Sequence, residues 1–212
     1  MGGHRRGGSA GAAALGWMTR KGSELDALLG DLNSGDDRLA ERAVHRLALH
    51  GEGVLPALLT QLSSSDPDQR WWATAALAQI DHHEARSSIT HSLLDQDISV
   101  RQCAAFALRQ QPTPQAIPAL IASLADGDRL LARLAGDALA ALGDQAVSPL
   151  TEALRDANPA VRIEAARALA AIDDPAVIAP LFSALDDRSA LVVHWAELGL
   201  QRLGVGMVFY QP

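Results

Sequence analysis

The chain has little of what enzymes and nucleic-acid binders are usually built from. Cysteine occurs once, at Cys103, which excludes an intrachain disulfide and a thiolate-held zinc. A lone cysteine suits a reducing compartment, and the expected location is the cytoplasm. Lysine also occurs once, at Lys21, and the 18 basic side chains are outnumbered by 25 acidic ones, for a net charge of −7. Proteins that grip phosphate backbones or anionic membranes need the opposite balance, so no nucleic-acid partner is expected. No apolar run is long enough to span a bilayer. Phosphate-binding loops, zinc spacings and nucleophile elbows are all missing, and no cofactor or metal is expected. Aromatic residues make up only 4% of the chain, so their positions carry information.

What is present suits a soluble globular protein: 212 residues, 48% of them apolar, which is ample for a core. The preference for arginine over lysine reads as a GC-rich bacterial genome and says nothing of function. Residues 1–22 are expected to form a disordered lead. Residues 1–17 are rich in glycine and alanine, and a signal peptide there would have a short, glycine-interrupted apolar part. Met18 opens a second possible start, so residues 1–17 are expected to be an extension. Residues 206–212 form an apolar tail, with an extended stretch possible at Gly206–Tyr210.

Between these ends the chain repeats. Val54-Leu55-Pro56-Ala57-Leu58, Ile117-Pro118-Ala119-Leu120 and Val147-Ser148-Pro149-Leu150 are variants of one phrase. Aligned leucines fall at Leu32, Leu62, Leu93, Leu124, Leu154 and Leu185, spaced 30 or 31 residues apart. A fixed period of this length marks a solenoid. Within the fifth unit, Val147, Leu150 and Leu154 form one helical stripe, and Val161, Ala165, Leu169 and Ile172 form another. The turn between them carries Asp36, Asp66, Asp97, Asp128, Asn158 or Ser189, all good acceptors at a helix start, and Pro67 and Pro159 follow where proline costs no hydrogen bond. Each unit is therefore helix A, a capped turn and helix B. The units are expected at about 24–53, 54–84, 85–115, 116–145, 146–175 and 176–205. Stacked hairpins bury stripes that a single hairpin cannot. The arginines Arg70, Arg101 and Arg162, at matching positions inside helix B, are expected to bond turn carboxylates of a neighbouring unit, with ligand contact as the alternative. Ala132 interrupts that ladder in unit four.

The run Asp97-Ile98-Ser99-Val100-Arg101-Gln102-Cys103-Ala104-Ala105-Phe106-Ala107-Leu108 and its copy from Asn158 to Leu169 resemble the HEAT-like repeat of the phycobilisome lyase type. The resemblance covers about residues 24–204. It implies an all-α fold, a right-handed α-α superhelix of about six helix pairs with armadillo-like character, whose B helices line the concave face. It is specific for fold and weak for function.

On that face, helical geometry turns four columns outward. They hold Trp71, Trp72, Phe106 and Trp195, three of the chain's four tryptophans among them. Core stripes use Leu, Ala, Val and Ile instead, so the expected binding residues are Trp71, Trp72, Gln102, Cys103, Phe106, Arg133, Asp137, Arg167, His194 and Trp195. The bland alternative is that these tryptophans only fill a tight groove. The partner class is a protein or peptide segment, or an apolar small molecule, and the favoured role is a binding scaffold. A second reading is a small-molecule enzyme resembling the bilin lyases, with Asp137, Glu164, Arg133, Arg167 and His45 as weak catalytic candidates. A third compares Trp71, Trp72, Asp137 and Arg167 with the HEAT-like alkylpurine DNA glycosylases, which the acidic balance opposes. The iron-binding His-Glu pairs of deoxyhypusine hydroxylase, another HEAT-like protein, have only His83-Glu84 as a counterpart. That pair falls in a turn and is set aside, and Cys103 reads as a small apolar filler.

Overall fold

The computed structural model describes residues 22–205. The expected lead, but for Gly22, and the expected tail lie outside the described residues. Every element among the described residues is helical. Residues 22–32 form α1. The rest are α2 (Asp37–Ala48), α3 (Leu55–Gln61), α4 (Pro67–Leu77), α5 (His83–Ser92), α6 (Ile98–Gln110), α7 (Ile117–Ser123), α8 (Arg129–Ala141), α9 (Asp144–Ala153), α10 (Pro159–Ala171), α11 (Ile178–Ala184) and α12 (Ala190–Arg202). Odd-numbered helices are the A helices and even-numbered ones the B helices, so the described residues form an α solenoid of six pairs.

One apolar core runs from Leu28 to Leu200 without a break. The alanines Ala73, Ala76, Ala104, Ala105, Ala135, Ala165, Ala166 and Ala196 of the B helices are fully buried in it. Small side chains let consecutive B helices meet closely, and these are the most extensive contacts between units, whereas adjacent A helices touch less. Tighter stacking on the B side agrees with the B helices lining the inner curve, as the repeat resemblance implies.

The turns are tied twice. The side chains of Asp36, Asp66, Asp97, Asp128 and Asn158 accept a backbone N–H from the helix that follows. Ser189 makes no such bond, which departs from the sequence expectation. Two residues earlier, Ser34, Ser64, Asp95, Asp126, Asp156 and Asp187 each accept the N–H of the capping residue itself. At the far end, Gly204 takes φ 73°. That lets Val205 N–H reach Leu200 O at 2.9 Å and close α12.

The arginine ladder forms. Arg70 donates through Nε and Nη2 to both oxygens of Asp95, each at 2.8 Å, and through Nη1 to Ser64 O. Arg162 repeats this with Asp187 and Asp156 O. Arg101 reaches Asp126 only at 3.4 Å and leaves Nε without a partner. The hydrogen bond from Arg70 holds the Asp95 carboxyl below the usual aspartate range, and Arg162 does the same for Asp187. A carboxyl whose folded pKa is depressed contributes stability that is complete above the unfolded value, about 3.9. That contribution disappears as the pH falls through the lower folded value. Thermal melts are therefore expected to fall steeply below about pH 4. Asp95→Asn should flatten that fall while lowering Tm at neutral pH, and an unchanged acid limb in the variant would remove Asp95 from this account.

Candidate functional site

Outward B-helix positions form two open pockets. The first has a volume of about 560 Å³ and lies where the A–B turns of units one and two meet. Its walls include Trp71 and Trp72 of α4, Glu41 of α2 and Ser99 of α6, with Asp37, Asp66, Asp68 and Gln69 at the helix starts. The tryptophan rings are edge to face, with centroids 4.6 Å apart. Trp72 packs on the core, whereas Trp71 is half-buried and is not among the side chains that do. Among the described residues, the side chains of Asp37, Glu41 and Asp68 take part in no ion pair or hydrogen bond.

The second pocket, about 620 Å³, is formed by α8, α10 and α12. Trp195, Leu198, Ala170 and Ala171 give it apolar walls, and Arg133, Arg167, Gln201 and Arg202 its polar ones. Arg202 also donates to Ala171 O at 3.0 Å and Ile172 O at 2.6 Å, so it closes the C-terminus of α10 as well.

Arg167 departs from its expected outward place. It is only 8% exposed. Its Nη1 donates to Asp137 at 2.6 Å, its Nε to Glu164 at 2.7 Å and its Nη2 to the Arg133 carbonyl at 2.7 Å. Burial works against the guanidinium charge, but the bonds to Asp137 and Glu164 outweigh it and raise its pKa. The Asp137–Arg167 pair anticipated from the column pattern therefore exists, inside a tight cluster that consumes the acids offered as catalytic candidates. A glycine makes room for it: a Cβ at Gly136 would lie 2.7 Å from Arg167 Nη2.

The other expected residues disperse. Gln102 donates to Asp128 at 2.9 Å and supports the turn of unit four. Phe106 is 47% exposed and lines neither pocket. His45 bonds its own helix at Glu41 O, and His194 stacks obliquely on Trp195, with centroids 5.5 Å apart. Cys103 is mostly covered, and burial pushes its thiol up to about 12. Only thiolate is reactive, so iodoacetamide at pH 8 should alkylate the folded chain about 10³ times more slowly than an exposed cysteine. Equal rates for folded and urea-unfolded protein would overturn that placement.

His82 caps α5 by accepting Glu84 N–H, and His83 and Glu84 sit in the first turn of that helix rather than in a loop. Among the described residues no three His, Cys, Asp or Glu side chains gather as a metal-holding group, and no helix is long and apolar enough to cross a membrane.

Sequence reasoning missed the acidic rim of the first pocket. Asp66 reads as a helix cap, and Asp37 and Asp68 look like ordinary first-turn acids. The available signal was their excess: caps need one acceptor per turn, and here Asp36 is followed by Asp37, and Asp66 by Asp68.

Comparison with known proteins agrees with this architecture. Over 125 residues the chain is 34% identical to chicken (Gallus gallus) deoxyhypusine hydroxylase, a match spanning 57% of this chain but 42% of that protein. The chain thus matches less than half the length of this curated relative. The solved structure of YibA from E. coli is similar with a TM-score of 0.54 at 20% identity, over 86% of this chain and 72% of that one. The CpcE–CpcF complex of phycocyanin lyase from Nostoc gives 0.51 at 22%, over 85% and 77%. Both likenesses are of fold. The sequence profile for HEAT repeats matches residues 25–109, 55–140 and 117–201, and with six stacked helix pairs described, the chain belongs to the HEAT-repeat family.

Proposed function

We propose that the chain is a binding module that holds a segment of a partner protein along the inner face of its B helices. The observation that carries this reading is Trp71: a half-buried indole not packed on the core, at the mouth of a pocket some 560 Å³ in volume. Large aromatic side chains held rigid at a pocket are the usual anchors of protein recognition. A second tryptophan pocket on the same face extends the surface. An enzyme resembling the bilin lyases would need a free acid or base converging on one pocket. The bonds that occupy Asp137, Glu164 and Arg167, and the raised thiol of Cys103, favour the binding module.

The test is a selection of linear peptides displayed against the immobilised full chain, followed by titration of the winners. Peptides whose affinity falls at least tenfold with Trp71→Ala, and again with Leu198→Asp, are the expected result. An empty selection, or winners indifferent to both changes, would sink this function.

A further inference from the structure

Resting on that segment-binding reading, the geometry points to a more specific partner: we infer that the bound segment is charge-polarised, with a cationic side chain in the first pocket and a carboxylate in the second. The two pockets are of opposite character. Trp71 and Trp72 stand among four carboxylates, those of Asp37, Glu41, Asp66 and Asp68. The starts of α2 and α4 lie at the same rim, and each contributes only about half a positive charge. The balance there is strongly negative. An indole face beside carboxylates is the environment a guanidinium or ammonium prefers, because the ring quadrupole and the carboxylates both attract the cation.

The second pocket reverses this. Arg133 and Arg202 reach it beside Trp195 and Leu198, and its lining contains no carboxylate. The nearby acids Asp137 and Glu164 are taken up by Arg167. Among the described residues the Arg133 guanidinium is in no ion pair, so it is available to an incoming carboxylate.

The spacing sets the length of the segment. The first pocket lies between units one and two, and the second, walled by units four to six, centres on unit five. Three and a half steps of about 10 Å give about 35 Å across the stack, and a shift of roughly two turns along the helices adds about 11 Å at right angles, so an extended chain covers the span in about eleven residues. The first pocket lies at the starts of the B helices, and the second draws on the later turns of α10 and α12. The segment therefore crosses the face obliquely.

The peptide selection also tests this. Winners are expected to carry arginine or lysine near one end and aspartate, glutamate or a free C-terminal carboxylate about eleven residues away. Such peptides are neutral overall, so general attraction to an acidic chain does not explain their binding. Citrulline for the arginine should weaken a winner about tenfold against the native chain. The same change should have little effect against Glu41→Gln plus Asp68→Asn. Glutamine for the glutamate should weaken binding to the native chain and not to Arg133→Gln. Rising salt should erode both effects.

Winners that bind through Trp71 but lack this charge pattern would overturn the inference and leave the segment-binding function standing. An empty selection would overturn both. Binding that appears only after Arg5, Arg6, Arg20 and Lys21 are changed to glutamine would assign the first pocket to the chain's own N-terminal segment, and the partner assignment would fall.

Discussion

Arg167→Met is expected to destabilise the protein by about 2–4 kcal/mol, lowering Tm by about 5–10 °C. The methionine stem keeps most of the buried volume but removes three hydrogen bonds, to Asp137, Glu164 and the Arg133 carbonyl. Two carboxylates and a carbonyl are then left without their partner. Breaking a buried ion pair from one side costs more than the pair itself contributes, because the remaining charges are stranded. Asp137 and Glu164 keep 27% and 20% of their side-chain exposure and so rehydrate in part, which places the cost below that of a fully enclosed pair.

A neighbouring glycine sharpens this result. In the native chain, Gly136→Ala puts a Cβ 2.7 Å from Nη2 of a guanidinium held on three sides. It should destabilise by about 1–2 kcal/mol. In the Arg167→Met background that clash is gone, and alanine should gain the ordinary helix advantage of up to about 1 kcal/mol. A change of sign between the two backgrounds, measured as a double-mutant cycle by urea unfolding, is the expected signature. Additive effects would mean that Gly136 does not serve to seat Arg167.

Gly199→Val is expected to cost about 3 kcal/mol or more, and Gly199→Ala about 1–2. Gly136 faces only the tip of a side chain and a carboxylate, but a Cβ at Gly199 meets backbone. It would lie 2.9 Å from Ala170 Cα, 3.0 Å from Ala170 Cβ and 2.7 Å from Leu181 Cδ1. Backbone cannot rotate away, so α12 has to separate from α10. That separation should also disturb the second pocket, which both helices wall. Gly30→Ala is the control: it lies in α1 with nothing within 4 Å of its would-be Cβ, and should stabilise by about 0.5–1 kcal/mol. Urea melts of all three variants decide the matter. A Gly199→Ala chain at least as stable as the native one would show that the α10–α12 approach is loose.

The helix pairs, their period, five of the six turn caps and the arginine ladder were legible in the amino-acid sequence, because each depends on residues close in the chain or one period apart. A repeat of 30 or 31 residues makes each unit's neighbour nearly a copy of itself, so the partner of Arg70 and that of Arg162 follow from one rule. The outward columns of the B helices were legible for the same reason, and the exposure of Phe106 and Leu198 agrees with them.

Which members of those columns work together depended on the tertiary structure. Helical phase says that Arg167 faces outward. It does not say that Gly136 on the adjacent helix leaves a hollow into which the guanidinium folds and disappears. Nor does it say that Asp37, Glu41, Asp66 and Asp68, from two different turns, converge on Trp71. A periodic sequence determines the direction of each side chain from its own helix. The depth of a hollow and the company within it come from the distances between helices, and those are set by the volumes of the small residues packed between them.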